Sequence, residues 1–453
     1  MNEVPNTPNQ RFSERNAVLL KAGLIAVITL LLLIPTAMIN GLVHDRESTK
    51  NQAINEVGKK WGQGQTLIGP FVTVPYTITE KRYSPRDSTN VWVDRTEYLN
   101  ILPESLAISG SIAPEKRYRG IYEVIVYNSD ITLSGDFALL APETFNINPK
   151  DLQLDKAYLS FGISDLKGIE DQISLEWGTE SKIFNPGTVT SDLLSSGINV
   201  PLSLSLNSNN ELITKPFNFN VKLKGSEYIN FVPVGKVTDI ELSSDWNNPS
   251  FDGPFLPDSR EIDDDGFTAH WNVLHLNRNY PQAWIGAQHK VKDSAFGVNL
   301  LIPVDSYQKS ERSIKYAILF IGLTFLVFFF IEIINKKRVH PIQYILVGLA
   351  LCLFYTLLLS ISEHTSFNIA YGISTLLTIG LISTYTKTVL KSNALTGLMG
   401  GILIILYLFI FIIIQLQDYA LLMGSIGLFI ILGLVMYFSR KIDWYQINNE
   451  TKL

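Results

Sequence analysis

One cysteine in 453 residues excludes a disulfide framework, because a lone thiol has no partner within the chain. A surplus of positive charge is missing as well. The 37 Lys and Arg stand against 42 Asp and Glu, a formal net charge of -5. Such a surface does not attract a phosphate backbone, so no nucleic-acid partner is expected. With 46% hydrophobic residues the chain is neither disordered nor collagen-like. Enzyme signatures are also lacking: there is no Gly-x-Ser-x-Gly elbow, no His-Glu-x-x-His pair and no glycine-rich phosphate loop. No catalytic residue, metal or cofactor is predicted, and the protein is expected not to be an enzyme.

Charge itself is absent from long stretches. A membrane-crossing helix needs about 20 apolar residues to cover about 30 Å of hydrocarbon. Six runs meet this: 22–43, 314–334, 342–362, 365–386, 392–417 and 419–439. Only the second contains charge, Lys315 at its start and Glu332 near its end. Each must be helical, since an open strand would leave backbone groups unpaired in lipid. Lys and Arg flank these runs on one side only. Arg11, Arg15 and Lys21 precede the first run, Lys336 to Arg338 join the second to the third, Lys387 and Lys391 join the fourth to the fifth, and Arg440 and Lys441 follow the last. By the positive-inside rule both termini are cytoplasmic and the block between runs one and two is exported. The first run is longer than the h-region of a signal peptide and lacks an Ala-x-Ala site, so it reads as an uncleaved anchor containing Pro35.

The charges concentrate in residues 44–312, where 35 acidic face 25 basic side chains. Ala53, Ile54, Val57 and Trp61 recur at helical spacing and predict a short stalk helix, ended near Gly58 and Gly62. Beyond it the period becomes two. Phe217, Phe219, Val221 and Leu223 alternate with polar residues, as do Leu202, Leu204 and Leu206, and Phe267, Ala269, Trp271 and Val273. The apolar run through Val124 to Tyr127 predicts a strand covered on both faces. Asn209-Asn210 and Asp265-Gly266 are turn signals. This pattern predicts a β-sandwich or several packed sheets.

Candidate chemistry is sparse. Glu261 to Gly266 resembles the start of a calcium loop, but its twelfth position is Asn272 rather than Glu, and an Asp-Gly hairpin turn accounts for it equally well. His270 and His275 are five apart and point to opposite faces of a strand, which does not suit a metal. Residues 243–257 are rich in Pro, Gly and Asn yet carry Trp246, Phe251 and Phe255. These three form a candidate binding loop, or an ordered loop tucked in by its own aromatics. In the membrane region, Glu332 stands four residues before Lys336 and would pair with it, and Asp418 would cap the last helix. Glu363 and His364, in a very short external link, are the candidate polar site at the membrane edge. The fourth run carries Ser374, Thr375 and Thr378, and Gly397 with Gly401 offers a small-residue packing face.

Longer motifs run through the chain. Among them are Trp61-Gly62, Val74-Pro75-Tyr76, Arg119-Gly120-Ile121-Tyr122, Leu276-Asn277-Arg278-Asn279-Tyr280-Pro281, His340-Pro341-Ile342-Gln343-Tyr344, Ser362-Glu363-His364 and Asp443-Trp444-Tyr445. In this order, from Ala22 to Tyr445, the sequence resembles the CreD family of bacterial inner-membrane proteins linked to cell-envelope integrity. The resemblance implies an inner-membrane protein under envelope-stress control that affects tolerance to colicin and wall antibiotics. It carries over no reaction, ligand or site residue.

The expected architecture is a membrane protein with six α-helical transmembrane spans plus a large, mainly β, sandwich-like periplasmic domain between spans one and two. Residues 1–21 form a cytoplasmic tail, 22–43 the first span, 44–312 the periplasmic domain with its stalk, 314–439 a five-helix bundle and 440–453 a second tail. Function is expected to be non-catalytic binding or sensing in the envelope. The partners are the lipid bilayer and an envelope protein or wall component. The alternative is a transporter or flippase acting through the bundle.

Overall fold

The computed structural model describes residues 17–84, 89–189, 194–300, 306–335, 337–416 and 419–440. The chain forms two compact units, one of Met1–Thr49 with Val304–Leu453 and one of Lys50–Pro303.

The first unit is helical. Helix α1 (Ala17–Trp61) runs unbroken through Pro35, so the expected first span and stalk are one element. It is followed, after the β unit, by α2 (Ser306–Lys315), α3 (Ala317–Ile334), α4 (Pro341–Ser362), α5 (Phe367–Leu390), α6 (Asn393–Gln415) and α7 (Ala420–Ser439). All except α2 are long and apolar enough to cross a membrane, six among the described residues. Helix α2 corrects the expected domain limit at residue 312. Its Tyr307, Ser310, Ser313 and Ile314 recur at three- and four-residue spacing and are buried, so it belongs with the helices rather than with the β unit. The chain breaks at Tyr316 (φ -89°, ψ 3°) before α3 begins.

Local chemistry fixes the helix starts. His340 Nδ1 accepts the amide of Ile342 at 3.3 Å while Gln343 Oε1 accepts the amide of His340 at 2.9 Å, and Pro341 occupies the first helical position. Ser392 caps α6 through the amide of Leu395. The bundle core is aromatic. The Phe320 and Phe354 rings lie 4.5 Å and 4.8 Å from Tyr407, and Phe354 also meets Tyr355 and Tyr371, which joins α3, α4, α5 and α6. On α6 the small residue at the packed face is Gly400, beside Ser383 Oγ; Gly397 and Gly401 face open space. Helix α7 is peripheral. Its single buried residue is Gly427, where an added Cβ would stand 2.0 Å from the Phe409 ring.

The second unit is a sandwich of a nine-stranded and an eight-stranded sheet with a small two-stranded ribbon. Strands β1 (Gln65–Ser84) and β2 (Thr89–Ile101) form an antiparallel hairpin in the first sheet, and β3 (Ser105–Arg119) and β4 (Tyr122–Asp136) another in the second. Each sheet also contains one parallel pairing. Gln65–Ile68 of β1 lies along Ile229–Val232, and Ser105–Ile112 of β3 lies along Val237–Ser244.

The expected alternation is realised in strand Phe217–Ser226, which buries Phe217, Phe219, Val221 and Leu223, and in Phe267–Leu274, which buries Phe267, Ala269, Trp271 and Val273. Phe219 meets Phe161 of the opposite sheet at 5.2 Å, and Trp271 meets Phe296 at 5.8 Å. These cross-sheet rings fill the interior of the sandwich. Val124 to Tyr127 are all buried, as a strand covered on both faces requires.

The last turns of α1 dock on this unit. The Trp61 ring is held between the Arg117 guanidinium at 4.8 Å and the Lys224 ammonium at 4.9 Å, and its Nε1 donates to the Tyr127 carbonyl. Arg119 pairs with Glu56 at 3.1 Å. Gly62 then ends the helix where a side chain would stand 2.6 Å from the Lys224 carbonyl oxygen.

Candidate functional site

Glu363 and His364 are adjacent in sequence but do not act as a pair. Successive helical residues point about 100° apart. At the end of α4 that rotation carries Glu363 inward and His364 into solvent. The Glu363 carboxylate is 9% exposed, accepts from the Tyr307 hydroxyl at 3.2 Å and lies 3.6 Å from Arg46 Nε. Beside it Lys309 Nζ donates to Gln415 Oε1 at 2.9 Å, and Gln415 Nε2 donates to Asn368 Oδ1 at 2.5 Å. This end of the bundle is therefore a polar layer drawn from α1, α2, α4, α5 and α6. Glu363→Ala is expected to destabilise the purified protein by about 1–3 kcal/mol through the orphaned Tyr307 and Arg46. His364→Ala should change it by less than about 0.5 kcal/mol, measured by unfolding in mixed micelles.

The opposite end holds a tighter knot. Glu332 is buried, and its carboxylate accepts from Lys21 Nζ, from the Val339 amide at 3.0 Å and from the Tyr344 hydroxyl at 3.1 Å. Lys21 Nζ also donates to the Val339 carbonyl at 2.8 Å. The expected pairing of Glu332 with Lys336 is replaced by one with Lys21, 311 residues distant. Lys336 itself, like Asp418, lies outside the described residues.

Between the two layers, Tyr371 donates to the Tyr407 carbonyl at 2.8 Å, and the Tyr407 hydroxyl is bonded to Thr378. The hydroxyls of Tyr355, Ser374 and Thr324 are buried and have no partner. Each comes from a different helix. In hydrocarbon an unmatched polar group is costly, so these three positions mark the polar interior of the bundle.

In the β unit the aromatic loop is folded inward. Its Pro249–Asp252 segment adds a strand to the first sheet, beside Gly297–Leu300. Phe251 meets Phe267 and Trp271 edge-on at 5.8 and 5.6 Å, Phe255 meets Phe296 at 5.4 Å, and Trp246 Nε1 donates to the Asn248 carbonyl. All three aromatic residues pack against the core, the arrangement of the tucked alternative. In the acidic turn, Asp263 Oδ1 accepts the amides of Asp265 and Gly266, and an added Cβ at Gly266 would stand 2.0 Å from the Ser244 carbonyl oxygen. That is hairpin-turn chemistry. His270 Nε2 is bonded to Asp239 at 3.0 Å, and no group of three metal-ligating side chains occurs among the described residues.

Two features escaped the reading of the sequence. Arg278 is buried against the Tyr280 ring at 4.2 Å and donates to the carbonyls of Tyr280, Val234 and Gly235 and to Gln282. Burial lowers its pKa from the usual value, and backbone oxygens rather than a carboxylate satisfy it. The other is the β1–β2 hairpin. It pairs without interruption from Val72–Ile101 out to Ser84–Thr89, and its outer part is exposed. Tyr83 and Trp92 are 60% and 63% exposed there, with Lys81 Nζ 5.4 Å from the Trp92 ring. The turn between the strands lies outside the described residues.

A β-sandwich inserted between the first two of six membrane-length helices, with polar layers at both ends of the bundle, defines a multi-pass membrane protein carrying a large folded domain. Comparison with known proteins narrows this. The family model described as Inner membrane protein CreD matches residues 17–445. The chain is also 32% identical over 422 residues to the Inner membrane protein CreD of Escherichia coli (strain K12), covering 92% of each. The chain belongs to the CreD family, and it is a multi-pass inner-membrane protein.

Proposed function

We propose that this protein supports cell-envelope integrity without catalysis, by binding an envelope component through its β domain. The domain lies in the periplasm and both termini in the cytoplasm, a topology supported by the Lys and Arg residues that flank the spans on one side. The observation that carries the binding role is the projecting β1–β2 hairpin. A two-stranded ribbon exposed on both faces is only marginally stable by itself. Its aromatic surface and open strand edges are suited to a partner protein that adds a strand or packs on Trp92 and Tyr83.

The test is a photo-crosslinking residue at position 92 in living cells, combined with rescue of a deletion strain under envelope stress. Crosslinks to a specific envelope protein, together with loss of rescue in Tyr83→Ser, Trp92→Ser at matched abundance, are expected. Full rescue by that variant would sink the reading.

A second reading, transport of a small or lipid substrate, is favoured by the unpartnered hydroxyls of Tyr355, Ser374 and Thr324 in the bundle interior. Substrate-dependent flux in proteoliposomes that is lost in Tyr355→Phe, Ser374→Ala would promote it over the first.

A further inference from the structure

Helix α2 carries an unusual charge arrangement. Lys309 and Arg312 are three residues apart, hence on neighbouring positions of one helical face, and both are partly buried. Neither forms an ion pair with a carboxylate among the described residues. The nearby acids are already engaged: Glu311 pairs with Lys315 at 2.9 Å, and Glu363 with Arg46 and Tyr307. Lys309 donates to one neutral acceptor, Gln415 Oε1, and lies 5.6 Å from the Phe367 ring. Its pKa is lowered by burial and by the charge of Arg312. Two like charges held together and partly desolvated are destabilising unless an anion neutralises them.

The neighbouring hydroxyls point the same way. Ser310 and Ser313 are 2% and 0% exposed, and both lack a hydrogen-bond partner. One turn of α2 therefore presents an ammonium with two donors to spare, a guanidinium and two unused hydroxyls. That is the donor set of a phosphate site. Its depth is set by its contacts, since Lys309 touches Phe367 at the start of α5 and Gln415 at the end of α6. The ends of spanning helices lie at the level of lipid headgroups.

We infer that Lys309 and Arg312, with Ser310 and Ser313, bind the phosphate of a lipid headgroup at this end of the bundle. Arg312 supplies the planar two-pronged contact, Lys309 the compact charge fixed in place by Gln415, and the serine hydroxyls donate to the remaining oxygens. The acyl chains would lie along the apolar surface of the spans.

Native mass spectrometry of the full chain in detergent, titrated with phosphatidylglycerol, tests this. The wild type should retain one phosphatidylglycerol at least tenfold more tightly than Lys309→Gln, Arg312→Gln, and diacylglycerol should not be retained by either. Arg312→Gln alone breaks no described bond within the protein, so it folds as the parent does; it should weaken retention at least threefold. Lys309→Arg, Arg312→Lys keeps both charges and should stay within about threefold of wild type. Equal retention by the wild type and both glutamine variants would overturn the inference. Displacement of the lipid by millimolar inorganic phosphate would overturn the lipid as the source, leaving a soluble phosphate in its place.

Discussion

Lys21→Met is expected to destabilise the helical unit by about 3–5 kcal/mol, because it strands the buried Glu332 carboxylate without its counter-ion. The size of the effect follows from asymmetry. Deleting one member of a buried pair leaves a desolvated charge, whereas deleting both leaves an apolar site. The double variant Lys21→Met, Glu332→Met should therefore recover most of the lost stability, although Val339 and Tyr344 lose an acceptor. Glu332→Gln should fall between the two. Unfolding of the purified chain in mixed micelles, followed by helical circular dichroism, measures all three. A Lys21→Met protein as stable as the parent would show that the carboxylate is satisfied by Tyr344 and the Val339 amide alone.

Trp271→Ala should cost the β domain about 3–5 kcal/mol, the range for deleting a large buried aromatic. Trp271 is 1% exposed and holds the second sheet to the first through Phe296 while also carrying Phe251 of the inward-folded loop. Its loss should free that loop, so protease cleavage within residues 243–257 should accelerate together with global unfolding. Trp246→Ala removes a half-buried ring from the same loop and should cost about 1 kcal/mol. A Trp246→Ala effect as large as that of Trp271→Ala would mean that the loop, rather than the sheet interface, holds this part of the sandwich together.

Much of this architecture was legible because its signals are local. Charge vanishes from six runs, and six membrane-length helices stand there. Period-two alternation at Phe217 to Leu223 and Phe267 to Val273 reports a strand with one wet face, and both strands exist. Helix α2 was hidden because its buried face is made of Tyr307, Ser310 and Ser313, polar residues that read as soluble sequence. The parallel pairings of β1 with Tyr228–Val232 and of β3 with Val237–Ser244 join segments more than a hundred residues apart, which no window can register. Glu332 illustrates the same limit in the bundle. A local rule offered Lys336, but burial selected Lys21 at the other end of the chain. Glu363 was chosen from the sequence for its place in a short link. Its neighbours Arg46, Tyr307 and Lys309 are brought to that end by three-dimensional packing alone.

Helix α7 joins the rest of the bundle through one main notch, where Phe409 of α6 enters beside Gly427. The aromatic centre formed by Phe320, Phe354, Tyr371 and Tyr407 draws on α3 to α6 and contains no residue of α7. During synthesis this centre can close before the last helix leaves the ribosome, at about 5–20 residues per second. The order of assembly is thus written into which helices share the core. A chain truncated just before α7 should still trap its aromatic centre, and the final helix becomes a late addition to a bundle that has already chosen its shape.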